Sequence, residues 1–148
     1  MTAPNDSPNG SPDGRAALQR RHLRLGWGAL LLFVLLGTAL EVLHGLKADF
    51  YLDPEFETRR LLWRLAHAHG TFLALVHLAF AFTLDKVQTP PRLASPCFTG
   101  ALIAVPLGFF LGGVTVHGGD PGAGIALLPL GVLLLLIAIA QTARTALR

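Results

Sequence analysis

Residues 61–84 read LLWRLAHAHGTFLALVHLAFAFTL, and after Arg64 the stretch carries no formal charge. It is long enough to cross the roughly 30 Å hydrocarbon core of a bilayer as a single α-helix. A surface helix of a soluble domain would carry a broad polar face. Here little besides His67, His69, His77, Thr71 and Thr83 interrupts the apolar residues beyond Arg64. Three further segments of similar length and polarity, 25–46, 98–117 and 124–143, predict four membrane spans. Backbone polar groups must be satisfied internally within a bilayer, so each span is expected to be a helix. The connections are short, which predicts an all-α, integral membrane four-helix bundle with antiparallel neighbours.

The composition agrees. The chain has 148 residues, 52% apolar and 14% charged, against about 25% charged in soluble domains. Once the four segments are assigned, too little is left for a large water-soluble catalytic domain. The single cysteine, Cys97, excludes a disulfide scaffold and any cysteine-based zinc or iron–sulfur centre within one chain. It is expected to be an inert, small apolar residue. The formal charge of +3 does not indicate nucleic acid, because the basic residues are scattered at segment ends, where they report topology instead.

Residues 1–14, MTAPNDSPNGSPDG, have no apolar period and are expected to be a disordered tail; residues 15–148 form the transmembrane domain. Arg15, Arg20, Arg21, Arg24, Lys86, Arg92, Arg144 and Arg148 fall on one side of the predicted membrane, and Lys47, Arg59, Arg60 and Arg64 on the other. The excess predicts that both termini lie in the cytoplasm, in a bacterial inner membrane. Asp53-Pro54 reads as a helix start, with Glu55 and Glu57 complementing its dipole and Glu57 one turn from Arg60. HGGDPGAG (117–124) reads as a glycine-rich turn and lacks the Lys-Ser/Thr ending of a phosphate loop.

Small residues predict where the helices meet. In the second span the register 60, 63, 67, 70, 74, 77, 81 reads as an inward seam. Glycines and alanines recur along the third and fourth spans, with Pro106 and Pro129 inside them. The leucine runs 30–32 and 133–136 are expected to face lipid.

The six histidines are the unusual feature of so apolar a chain. His22 lies in the basic flank and is expected to be solvated. Glu41, His44, His67, His69, His117 and Asp120 fall towards the predicted outer side, and His77 lies near mid-membrane. Ionisable groups are costly in a bilayer and usually face a protein interior with a partner. Three chemistries suit them. Glu41, His44, His67 and His117 form a mixed nitrogen and oxygen donor set for zinc, copper or iron. His67, His69 and His77 are candidate heme ligands, with Gly70 and Ala74 leaving room beside them. Histidine and glutamate also make proton relays. The structural alternatives are a Glu41 bridge to Arg60 or Arg64, interfacial His44 and His117, and a His77 hydrogen bond to Thr38 or Thr115. His67 and His69 project to opposite sides of a helix, so they cannot both face one site squarely.

The string RRLLWRLAHAHGTFLALVHLAFA (59–81), preceded by EVLHG (41–45), resembles stretches in small four-span bacterial membrane proteins. Its Arg-x-x-His and His-x-His spacing is similar to a heme-ligating helix of heme-copper oxidase catalytic subunits. That resemblance covers one helix and implies His67 or His69 as a heme ligand. The chain has no copper-site histidine cluster on a later helix.

The first functional reading is therefore a metal- or heme-binding membrane protein serving redox or metal handling. The second is a non-catalytic accessory or assembly subunit, partnered by other membrane subunits or by copies of itself. The third is a small proton- or ion-coupled carrier using Glu41 and His77. No serine–histidine–aspartate order, nucleotide loop or cysteine pair supports soluble-type enzyme chemistry.

Overall fold

The computed structural model describes residues 12–87 and 89–147, and it is all-α. Helix α1 spans Pro12–Gly45, the short α2 Asp49–Leu52, α3 Glu57–Thr83, α4 Ala94–Val114 and α5 Leu127–Ala146. Single 3-10 turns precede α3 (Pro54–Phe56) and α5 (Ala123–Ala126). Four of these helical segments are long and apolar enough to cross a membrane.

The first helix begins well before its expected span. Its 34 residues make about 50 Å at 1.5 Å per residue, so the basic stretch 15–24 is helical and continuous with the apolar run. Arginine and glutamine are good helix formers, and nothing from Arg15 onward breaks the helix until Gly45. Of the tail expected at 1–14, residues 1–11 lie outside the described residues, and 12–14 already belong to α1. The start of α3 follows the sequence closely. Asp53 Oδ1 accepts from the Glu55 amide at 2.9 Å with Pro54 between them, and Arg60 lies 3.9 Å from Glu57.

The long helices pack in sequence order, α1 on α3, α3 on α4 and α4 on α5. Consequently α3 and α4 are central, with 44% of each apolar window buried, while α1 and α5 flank them with 11%. Along α1 and α3 the contacts run from Arg15 against the Leu84 and Val87 carbonyls, through Gln19 with Asp85 and His22 with His77, to His67 with Phe33. Arg15 and Gln19, which also donates to the Ala81 carbonyl, thereby satisfy main-chain oxygens at the C-terminal end of α3 that the helix itself leaves open.

Small residues set these approaches. A Cβ at Gly26 would lie 2.6 Å from Leu78 Cδ2, and one at Gly131 2.6 Å from Val105 Cγ2. Gly70 admits the Phe33 ring and Gly37 the His67 ring. Gly70, Ala74, His77 and Ala81 of the expected α3 seam are buried. Leu31, Leu32, Leu133 and Leu136 are exposed. Leu134 and Leu135 are not: both pack against the cluster of Phe80, Leu84, Phe98 and Ala138, because α5 turns that part of its leucine run towards α4.

Candidate functional site

At the end of α1 and α3 remote from Arg15, a cavity of about 930 Å³ opens between the two helices. Its polar lining comprises Thr38, Glu41 and His44 from α1, Tyr51 from α2, and Arg60, Arg64 and His67 from α3. The last three lie at i, i+4 and i+7, one above another on one helix face, with Arg64 and Arg60 about 4.5 and 10.5 Å along the axis from His67. Tyr51 is 2% exposed and stacks on Trp63 at 6.3 Å between ring centroids. Burial pushes its hydroxyl pKa up, against the opposing effect of the Arg64 and Arg60 guanidiniums.

His67 is held in a defined orientation. Its Nδ1 lies 2.6 Å from the Phe33 carbonyl oxygen. A carbonyl only accepts, so Nδ1 carries the proton, and the neutral ring keeps its lone pair on Nε2. Gly37, one turn beyond Phe33, makes the space for the ring. Arg60 also donates to the Leu52 carbonyl at 3.2 Å, which ties the wall of the cavity to α2. The bridge from Glu41 to Arg60 or Arg64 considered from the sequence is absent among the described residues; the ion pair that Arg60 makes is with Glu57.

The other candidates lie elsewhere. His69 turns to the far side of α3, where its Nδ1 bonds the Leu65 carbonyl at 2.9 Å and its ring meets Phe109 at 4.8 Å. His117 lies beyond α4 in a tight turn closed by paired backbone bonds to Asp120, with Gly118 and Gly119 at φ +58° and +87°. Thr58 Oγ1 donates to the Gly119 carbonyl at 2.6 Å, which ties this turn to the start of α3. Because α3 stands between α1 and α4, Glu41, His44 and His67 share the cavity while His117 does not line it. Among the described residues no group of three or more His, Cys, Asp or Glu is placed to hold a metal ion.

A second polar cluster lies towards the other end of α3. His22, expected to be solvated, is fully buried: its Nδ1 lies 2.8 Å from His77 Nδ1 and its Nε2 2.8 Å from Ser95 Oγ. His77 thus makes an inter-helix hydrogen bond, but to His22, whereas Thr38 and Thr115 bond carbonyls of their own helices. The rings of Phe80 and Phe98 flank the pair, and Cys97 is buried in the neighbouring apolar cluster. The sequence signal for His22 was available. Residues 15, 19, 22, 26, 29, 33 and 37 recur at helical spacing, and all meet α3 or its apolar core contacts.

No family model matches the chain, and no curated protein or solved structure shows significant similarity to it.

Proposed function

We propose that the chain is a multi-pass protein of a bacterial inner membrane, with antiparallel neighbouring spans and cytoplasmic termini, that binds heme in the cavity between α1 and α3. His67 would hold the heme iron through Nε2, and Arg60 and Arg64 would pair with the heme carboxylates. The observation that carries this reading is the His67 ring at the wall of a 930 Å³ cavity, with its proton fixed on Nδ1 by the Phe33 carbonyl. Iron-binding histidines are commonly oriented by such a bond from the other ring nitrogen. The volume falls in the upper part of the 300–1,000 Å³ range usual for small-molecule sites.

The donor count favours heme over a free metal ion. A zinc or copper ion held by side chains needs three or four convergent donors, which the described residues do not assemble. A porphyrin brings four nitrogens of its own and needs one or two from the protein. The charges also suit it. Arg60 is half-buried and Arg64 exposed at the cavity, and their guanidiniums can pair with the carboxylates of an anionic ligand. Bound heme would supply one-electron redox chemistry, while the Phe33 carbonyl orients His67.

The test is the visible spectrum of the full chain purified in mild detergent, with and without dithionite. A Soret band that His67→Ala abolishes and His117→Ala leaves intact supports the proposal. A colourless protein that takes up no added hemin, and instead co-purifies with other membrane subunits, supports the accessory-subunit reading.

A further inference from the structure

The cluster of His22, His77 and Ser95 is separate from the cavity and draws one side chain from each of α1, α3 and α4. His22 and His77 are 0% exposed and Ser95 6%. Phe80 and Phe98 pack against the two rings, and burying polar groups among aromatic side chains carries a cost that apolar residues would avoid. A network serving packing alone would be closed at both ends. Here His77 Nε2 is buried near the Phe98 main chain and makes no hydrogen bond of good geometry.

The linkage is unusual in joining the two rings through like atoms, Nδ1 to Nδ1 at 2.8 Å. Two neutral imidazoles joined in this way have two complete hydrogen-bond orientations. In one, the Ser95 hydroxyl donates to His22 Nε2, His22 Nδ1–H donates to His77 Nδ1, and His77 carries a proton on Nε2. In the other, His22 Nε2–H donates to Ser95 Oγ, His77 Nδ1–H donates to His22 Nδ1, and His77 Nε2 holds a lone pair. Both orientations keep the observed distances and leave both rings neutral.

We infer that Ser95, His22 and His77 form a proton relay ending at His77 Nε2. A proton from water adds to Ser95 Oγ as the original hydroxyl proton passes to His22 Nε2. The His22 Nδ1 proton passes to His77 Nδ1, and the His77 Nε2 proton leaves to a water molecule admitted by local opening of the helix contact, since Nε2 is buried in the closed packing. One proton enters, one leaves, and the three side chains retain their charge. Returning the opposite way restores the first orientation, so no oxidant or reductant is required. The relay is independent of what fills the cavity.

The experiment uses the full chain with ¹⁵N-labelled histidine in lipid bilayers. Ring nitrogen shifts report the tautomer of His22 and His77, and transfer into D₂O reports exchange of their N–H protons. Both tautomers are expected in each ring. Exchange at His77 is expected to slow about a hundredfold in Ser95→Ala, the effect of losing one positioned proton-transfer group, and to recover in Ser95→Thr. One fixed tautomer in both wild-type rings, which needs no variant to observe, overturns the relay. So does an exchange rate that Ser95→Ala leaves unchanged in a protein of wild-type thermal stability.

Discussion

His67 on α3 donates from Nδ1 to the Phe33 carbonyl of α1 at 2.6 Å, across a gap that exists because residue 37 has no side chain. The bond joins the two helices and fixes the His67 tautomer, with the lone pair on Nε2. Gly37→Ala places a methyl group against the ring. Overpacking of this kind costs typically 1–3 kcal/mol, so thermal unfolding in detergent should shift down, and hemin uptake should fall with it. Gly28, with open space around its Cα, is the control: Gly28→Ala should leave both unchanged or slightly raise stability.

Arg64 reaches the cavity without an ion pair among the described residues. If it pairs with a propionate, Arg64→Gln should weaken hemin binding about tenfold, equivalent to about 1.4 kcal/mol. The dimethyl ester of hemin, which lacks the two carboxylates, should bind wild type and Arg64→Gln equally. Equal loss for hemin and its ester in a titration would assign Arg64 a packing role instead.

The His22–His77 contact should be visible in a double-mutant cycle. His22→Phe leaves both His77 and Ser95 without their partner, and His77→Phe leaves His22 Nδ1 without one, at about 1–3 kcal/mol for each buried group left unsatisfied. Changing both rings removes the mutual requirement, so the double variant should be more stable than the sum of the single losses by about 1–3 kcal/mol. Additive losses in chemical denaturation would mean that the pair is not coupled.

Tyr51 is raised in pKa by burial. A group whose folded pKa exceeds its unfolded value favours the folded state while it remains protonated. That contribution is complete below the unfolded tyrosine pKa, about 10, and is lost as pH rises through the folded value. Wild type should therefore lose more stability than Tyr51→Phe when thermal melts are carried from neutral pH to above about pH 10. Parallel losses in the two proteins would remove Tyr51 as the cause.

The four spans were legible because bilayer length and apolarity are properties of whole segments, and 61–84 states them without ambiguity. The Asp53-Pro54 start and the glycine turn at 117–120 were legible because each depends on local backbone chemistry. His22 was misread for a corresponding reason. The neighbouring Arg20, Arg21 and Arg24 suggest a solvated flank, but α1 runs straight through them, and its helical period puts His22 in line with Gln19 and Gly26 against α3. Its partners His77 and Ser95 lie 55 and 73 residues away, a tertiary relationship that segment composition does not contain. The grouping of Glu41, His44 and His67 follows from short loops and depth along the helices. The position of His117 depends on which helices are neighbours, and packing in sequence order puts α3 between it and α1.

The most direct test of heme ligation by His67 is chemical rescue. His67→Gly purified without heme is titrated with hemin in the presence and absence of imidazole, and the Soret band is followed alongside wild type. The expected result is one heme per chain in wild type, weak featureless uptake in His67→Gly, and a restored wild-type band when imidazole fills the vacated position. A His67→Gly protein that binds hemin as wild type does, with no response to imidazole, would contradict ligation by His67.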